Sequence, residues 1–161
     1  MRGDIILVGD EHRKAAGIIV DRLIGTIQAS SRRFTITVAG ESGSGKSETG
    51  QALAEALEER GVHAVVLQQD DYYVLPPKFN DAARRASFSW VGTTEVRLDL
   101  LDAHLQAAQE GAAGITKPLV IYEDNAIVEE ALSYEGADVV IAEGVYTSLC
   151  EHVDYRVFIA R

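Results

Sequence analysis

The sequence predicts an α/β domain of three layers, in which helices cover both faces of a five-stranded parallel sheet. Short continuous apolar runs alternate along the chain with segments of helical periodicity, a pattern typical of parallel strands that are buried on both faces. One of these units contains a complete phosphate-binding loop at residues 40–47, and such loops join a strand to a helix. In chain order, the predicted strands are residues 34–39, 64–67, 118–122, 138–142 and 155–159.

The composition describes a globular chain of 161 residues with a net charge of −10. The excess of 25 acidic over 15 basic residues argues against a nucleic-acid-binding surface and gives no reason to expect an anionic membrane partner. Cys150 is the single cysteine, so an internal disulfide is impossible and a reducing compartment is favoured. No apolar run has the length of a membrane span or the form of a secretory signal. We therefore expect a cytoplasmic protein with no nucleic-acid or membrane partner.

The first predicted element is a helix over residues 11–30, and the polar residues 30–33 end it. Its apolar side chains recur at helical spacing, and the predicted inward face consists of Ala15, Ile18, Ile19, Leu23 and Ile27. We interpret residues 1–33 as an N-terminal helical extension that packs on the core, and the helix at 11–30 as a packing or dimer element rather than as part of a functional site. The sequence leaves open whether the chain forms a homo-oligomer.

The phosphate-binding loop follows the first strand and reads Gly40-Glu41-Ser42-Gly43-Ser44-Gly45-Lys46-Ser47. Its glycines let the backbone wrap closely, so that successive N–H groups point at phosphate oxygens. In this pattern Lys46 reaches the β- and γ-phosphates of a nucleotide, and the hydroxyl of Ser47 binds Mg²⁺. The loop therefore predicts a nucleotide site that uses all eight of its residues.

Three further helices are predicted after the loop. The first runs from residue 47 to 60, and its N-terminus faces the bound phosphates. The second is short and covers residues 80–86, and Thr94 begins a third that extends to about residue 109. The predicted inward residues of this third helix are Val96, Leu100, Leu101 and Leu105.

Acidic residues follow two of the predicted strands. Asp70 and Asp71 come shortly after the second strand, and Glu143 directly follows the fourth. In parallel sheets ligands bind at the carboxyl ends of the strands, so these acids are candidates to orient an acceptor hydroxyl and to hold Mg²⁺. Neighbouring residues of an extended chain point to opposite sides, so at most one of Asp70 and Asp71 should face the phosphates. The alternative interpretation is that they are solvated loop acids and that Glu143 caps a helix.

These motifs, in this order, resemble the uridine kinase/phosphoribulokinase family of P-loop kinases. The resemblance covers roughly residues 34–161 and rests on the phosphate loop and on three segments, Gln69-Asp70-Asp71-Tyr72-Tyr73, Asp138-Val139-Val140-Ile141-Ala142-Glu143-Gly144 and Asp154-Tyr155-Arg156-Val157-Phe158-Ile159. It implies a P-loop NTPase fold with the strand order second, third, first, fourth, fifth. It also implies that ATP and Mg²⁺ are used to phosphorylate a hydroxyl of a nucleoside- or sugar-like small molecule.

The resemblance further implies roles for individual residues. Asp70 corresponds to the proposed base on the acceptor hydroxyl, acting together with Lys46, and Glu143 corresponds to the carboxylate near Mg²⁺. The acceptor pocket is expected to contain Tyr73, Tyr122 and Arg84. Asp71 is given no role, so Asp71→Asn is expected to behave nearly as wild type.

The sequence departs from the family pattern in two places. Residues 122–127 contain no His-Ser-Arg segment of the kind that meets the nucleoside in uridine kinases, so nothing identifies uridine as the acceptor. The sequence stops at Arg161, before the Arg-rich lid and the adenine-contacting segment of the family. We expect that the chain is truncated, that a mobile lid was left out, or that the protein acts without one.

Two other classes of function remain open at this point. An NTP-hydrolysing switch or motor is disfavoured, because the chain has no Asn-Lys-x-Asp guanine motif. A nucleotide-binding regulatory module without catalysis is kept open by the missing lid.

Overall fold

The computed structural model describes residues 1–160, so Arg161, the last residue of the predicted 34–161 domain, lies outside the described residues. The four α-helices are α1 (Asp10–Ala29), α2 (Lys46–Glu59), α3 (Pro77–Ala86) and α4 (Leu98–Gln109). The six strands are β1 (Phe34–Gly40), β2 (Ala64–Gln68), β3 (Gly114–Ile121), β4 (Ala126–Ser133), β5 (Val139–Glu143) and β6 (Tyr155–Ile159). Among these elements, no helix is long and apolar enough to cross a membrane.

The central sheet has four parallel strands in the order β2-β5-β1-β6. Strands β1 and β5 are buried along their whole length, and both are rich in the β-branched residues that favour a pleated, covered surface. Glu143 at the end of β5 lies between two neighbours in register: Val38 of β1 on one side and Gln68 of β2 on the other. The carboxyl ends of β1, β2 and β5 therefore meet at one edge of the sheet, where the loops that follow them can share a site.

The prediction of five parallel strands in the order second, third, first, fourth, fifth was wrong. The third predicted strand, residues 118–122, overlaps β3, which ends at Ile121 and pairs antiparallel with β4 in a separate two-stranded sheet. Its place in the central sheet is taken by β5, the fourth predicted strand. The chain reverses at Asn125, whose φ of 46° lies in the left-handed region that Asn tolerates better than most residues. Because β4 alternates between exposed and half-buried positions, the hairpin has one solvated face, as antiparallel sheets often do.

Helices pack on both faces of the central sheet, which confirms the three-layer arrangement. Alternate residues of β5 point to opposite faces: Val139 and Ile141 join a core with α1 and α2, whereas Val140 and Ala142 join a core with α4. This period of two is what a strand buried on both sides requires.

Two helix predictions need correction in detail. The inward face of α1 consists of Ala16, Val20, Leu23 and Ile27, so Ile18, which is 60% exposed, was wrongly placed inside. Ala15 is also exposed, whereas Leu23 and Ile27 are buried as predicted. Thr94 does not begin α4, because residues Thr93–Glu95 form a 3₁₀ turn and the α-helix starts at Leu98.

Candidate functional site

The phosphate-binding loop joins β1 directly to α2. Gly43 and Gly45 have φ values of 74° and 88°, which L side chains rarely adopt, so glycine is required there. Gly45 is the N-cap of α2, and the free N–H groups of the first helical turn therefore face the loop. A Cβ atom on Gly40 would lie 2.7 Å from Ser44 Oγ and 2.8 Å from the Ile159 carbonyl oxygen, so this glycine allows the tight approach of two backbone segments.

Two polar groups of the loop could donate hydrogen bonds to a bound anion. Lys46 donates from Nζ to the backbone carbonyl of Glu41 at 2.7 Å, which folds its side chain over the loop. Ser44 Oγ is buried and has no hydrogen-bond partner among the described residues. An unsatisfied buried polar group is costly, and a bound anion would accept the hydrogen bond that this hydroxyl can donate. The loop is therefore rich in hydrogen-bond donors, as anion sites are.

Glu143 lies beside the loop at the end of β5 and is 4% exposed. Its Oε1 accepts a hydrogen bond from Ser47 Oγ at 3.0 Å. Burial raises the pKa of Glu143 to about 7, and the nearby carboxylate of Asp70 also raises it, while the hydrogen bond from Ser47 lowers it. Two carboxylates held close together in a buried site favour the arrival of a cation or a proton.

Asp70 lies in the 3₁₀ turn Gln69–Tyr72 that follows β2. Burial raises the pKa of Asp70, and its acidic neighbours Asp4 and Asp71 add to the increase, whereas Lys46 lowers it. The side chain lines the same cavity as Lys46, Ser47 and Glu143. The structure thus brings together residues from β1–α2, β2 and β5 that the sequence analysis selected separately.

This cavity has a volume of about 600 Å³ and extends from the phosphate loop to the segment before α4. Tyr73 and Arg84, two of the residues predicted for the acceptor pocket, line it. The third, Tyr122, is not among its lining residues and is 60% exposed beyond the end of β3. The reason is the hairpin, which carries Tyr122 to a turn instead of to the edge of the central sheet. Glu41 contributes its carbonyl to Lys46, but its side chain is exposed.

A polar network forms the wall of the cavity opposite the loop. Arg84 donates from Nε and Nη2 to the two carboxylate oxygens of Glu95 at 2.6 and 2.9 Å, and Asn80 donates to Glu95 at 3.1 Å. Burial alone would raise the pKa of Glu95, but these hydrogen bonds outweigh it and lower the pKa. The Arg84 guanidinium also lies 5.9 Å from the centre of the Tyr73 ring. Sequence reasoning missed Glu95, because no local pattern marks an acid that is paired across 11 residues.

Asp71 points away from the cavity, as predicted, but it is not an idle loop acid. It is 3% exposed, accepts a hydrogen bond from the backbone N–H of Val120 at 3.0 Å and pairs with Lys117 Nζ at 3.1 Å. The α-amino group of Met1 lies 3.1 Å from the same carboxylate. Asp71 therefore joins the β3–β4 hairpin to the turn that carries Asp70, and the expectation that Asp71→Asn is silent conflicts with this buried ion pair.

The N-terminal segment also reaches the cavity. Asp4 lines the cavity. His12, in the first turn of α1, accepts a hydrogen bond on Nδ1 from the N–H of Gly9 at 3.0 Å. Its Nε2 lies 3.0 Å from the position that a Cβ on Gly45 would take, so the imidazole packs against the phosphate loop.

The sequence and the fold are similar to those of known proteins. The sequence model of the Phosphoribulokinase / Uridine kinase family matches residues 35–160. A uridine kinase of Leuconostoc citreum (strain KM20) is 31% identical over 112 residues, which are 70% of this chain and 52% of that protein. A bifunctional alpha-galactosidase/sucrose kinase of Mediterraneibacter gnavus is 30% identical over 124 residues, which are 71% of this chain and 13% of that protein. The chain therefore spans about half of the first relative and a small part of the second.

Among solved structures, a possible uridine kinase from Bacillus stearothermophilus superposes with a TM-score of 0.66 at 21% sequence identity. The match covers 86% of this chain and 78% of that one. This likeness establishes a shared P-loop kinase-like α/β fold.

Proposed function

This chain belongs to the phosphoribulokinase/uridine kinase family, and we propose that it is an ATP-dependent kinase whose acceptor is a nucleoside- or sugar-like small molecule. In this proposal the γ-phosphate moves to a hydroxyl of the acceptor. One observation carries the proposal: Lys46, Ser47, Asp70 and Glu143 line a single cavity of about 600 Å³. A phosphate-binding loop and two carboxylates that line one cavity are the parts that phosphoryl transfer needs.

Residues 40–47 are proposed to bind the nucleotide phosphates through backbone N–H groups and through Lys46. The ammonium group of Lys46 would exchange its hydrogen bond with the Glu41 carbonyl for phosphate oxygens. The N-terminus of α2 adds a favourable dipole. Because the chain carries a net charge of −10, these local donors, and not the overall field, must attract the anion.

Ser47 and Glu143 would hold Mg²⁺, and their chemistry fits this ion. Both offer oxygen ligands, which Mg²⁺ prefers, and they lie 3.0 Å apart. Among residues 1–160, no group of three or more His, Cys, Asp or Glu side chains could hold a metal alone, which suits an ion that is completed by phosphates and water. When bound, Mg²⁺ supplies charge neutralisation at the transferring phosphate.

Asp70 is the proposed base. It would orient the acceptor hydroxyl and take its proton as the oxygen–phosphorus bond to the acceptor forms and the bond to the departing ADP breaks. The burial that raises its pKa makes the carboxylate a better proton acceptor than an exposed one. Positioning and charge neutralisation by the loop supply the larger part of the rate.

Steady-state ATP turnover, measured with and without a panel of hydroxyl compounds, tests this function. A kinase releases ADP faster when its acceptor is present. A rate of ADP release that is the same with and without every acceptor would instead identify an NTPase, and nucleotide binding without turnover would identify a regulatory module. Lys46→Ala serves as the control for turnover by contaminating enzymes.

A further inference from the structure

Carboxylates dominate the walls of the cavity. Among the described residues that line it, the basic side chains are Lys46 and Arg84, and the acidic ones are Asp4, Glu48, Asp70, Glu95 and Glu143. A cleft lined by one sign of charge concentrates ligands of the opposite sign and repels those of its own. The phosphates of the bound nucleotide are anions, so they compete with the acceptor for these basic side chains.

The two cations differ in what they can still bind. Lys46 belongs to the phosphate loop, where it is needed for the nucleotide. Arg84 lies on the opposite wall, but its Nε and Nη2 both donate to Glu95, a carboxylate that is 2% exposed. A bidentate arginine–carboxylate pair of this kind is strong and geometrically fixed. Arg84 is therefore already neutralised within the protein.

The remaining surface of the acceptor side suits an uncharged ring with hydroxyl groups. Tyr73, Val91, Val145 and Tyr146 line the cavity and supply apolar and aromatic area for the C–H faces of such a ring. Burial, with the nearby Asp70 carboxylate, raises the pKa of Tyr73 to about 12, so its hydroxyl stays protonated and can donate a hydrogen bond. Asp4 and Asp70 offer acceptors for hydroxyl protons.

We propose that the acceptor is a neutral polyhydroxy compound and that the Arg84–Glu95 pair makes the site reject acceptors that already carry a phosphate or carboxylate group. The inference rests on the proposed kinase function and deepens it. An anionic acceptor would meet Asp4, Asp70 and the donor phosphates, while Lys46 and Mg²⁺ are engaged by those phosphates and Arg84 by Glu95. Juxtaposed like charges cost several kcal/mol, whereas a neutral acceptor avoids this repulsion.

The test compares neutral acceptors with anionic counterparts chosen so that every candidate hydroxyl stays free in at least one of them: uridine with uridine 6-carboxylate, ribose with its 1-phosphate and with its 5-phosphate, and glycerol with glycerate. For the pair that is turned over fastest, the neutral member should have a kcat/KM higher by about 10²-fold or more. Equal or better use of the anionic member overturns the inference while the kinase function stands. If no compound stimulates turnover, the proposed kinase function fails, and this inference fails with it.

A variant pair isolates the contribution of Glu95. Glu95→Gln keeps a side chain of the same shape but releases the charge of Arg84, so the preference for the neutral acceptor should fall by about tenfold or more. Asp81→Asn is the matched control, because Asp81 pairs with Arg85 on the exposed side of α3. The Asp81→Asn protein should prefer neutral acceptors as strongly as wild type does. An unchanged preference in a folded Glu95→Gln protein contradicts the role of the pair. The wild-type comparison decides the acceptor class even if this variant does not fold.

Discussion

Ser47 in the first turn of α2 donates a hydrogen bond to Glu143 at the end of β5, although the two residues are separated by 96 positions in the sequence. The contact exists because β5 lies parallel and adjacent to β1, so both strands deliver their following residues to one edge of the sheet. It buries a carboxylate beside the phosphate loop, with consequences for both stability and function.

The first prediction concerns the pH dependence of stability in the ligand-free protein. The pKa of Glu143 is raised from 4.5 to about 7 by burial, so its stabilising effect is fully present below pH 4.5 and is lost as the pH rises through 7. The raised pKa of Asp70 acts in the same direction. Glu143→Gln removes one of these titrations. Wild type loses stability across this pH window and the variant does not. The difference between their unfolding free energies should therefore shift in favour of the variant by up to about 3 kcal/mol as the pH rises.

Urea unfolding in EDTA at several pH values measures this difference. Glu123→Gln, which changes an exposed acid, is the control and should follow the wild-type curve. A difference between Glu143→Gln and wild type that does not change with pH would contradict the burial of an ionisable Glu143.

The second prediction concerns Lys46. Within residues 1–160, its ammonium donates to the backbone carbonyl of Glu41 and supports no core. Lys46→Ala should therefore leave the unfolding free energy nearly unchanged and reduce nucleotide-dependent turnover by about 10²-fold or more, since transition-state charge stabilisation is lost. Lys78→Ala, at an exposed position outside the cavity, is the control. Full activity in Lys46→Ala would refute the assignment of the loop.

The third prediction concerns the buried pair of Asp71 and Lys117. Asp71→Asn can keep the acceptor for the Val120 N–H. However, it leaves the buried ammonium of Lys117 with the Pro118 carbonyl and the more distant carboxylate of Glu130 at 3.5 Å. Breaking a buried pair costs about 3–5 kcal/mol when no other partner remains, and the residual contacts offset part of this, so the variant should lose about 2 kcal/mol or more in chemical denaturation. Asp71→Asn combined with Lys117→Met should recover a large part of the loss. A single variant as stable as wild type would show that the pair is not buried in solution.

The fourth prediction concerns the contact between Gly45 and His12. Gly45→Ala places a Cβ 3.0 Å from His12 Nε2 at a φ of 88°, so it should destabilise the protein by about 1–2 kcal/mol and weaken nucleotide binding. In a His12→Ala background the same change should cost less. Gly25→Ala is the control, since it is exposed in α1 with open space around it, and it should be neutral or slightly stabilising. Equal costs of Gly45→Ala in both backgrounds would exclude the contact.

Local signals were sufficient to predict the β1–loop–α2 unit and the positions of the other three central strands. The strand order was not predictable in this way, because which strands become neighbours depends on packing between distant segments. The apolar character of residues 118–122 predicts a buried parallel strand, whereas β3 pairs antiparallel with β4. The turn residues at 124 and 125, followed by the mixed apolar and acidic run of β4, were the available hairpin signal.

The site residues also form two groups: those that a sequence motif marks and those that only the tertiary structure reveals. Lys46, Ser47, Asp70 and Glu143 could be selected because each belongs to a motif or to the end of a strand. Asp4, His12 and Glu95 carry no motif, and only the tertiary structure places them at the cavity or against its loop. Asp71 shows the converse: its orientation was predictable from its neighbour, but its partner Lys117 lies 46 residues away.

Asp70→Asn tests the central claim most directly. The change keeps the shape of the side chain and removes the base, so acceptor-stimulated ADP release should show a kcat lower by about 10²–10⁴-fold. The dissociation constant for ATP, measured by calorimetry on the same samples, should change by less than about threefold, because the loop and Lys46 bind the nucleotide. A variant that turns over acceptor at the wild-type rate, or one that loses ATP affinity as strongly as activity, would contradict the account of Asp70 as the base of a small-molecule kinase.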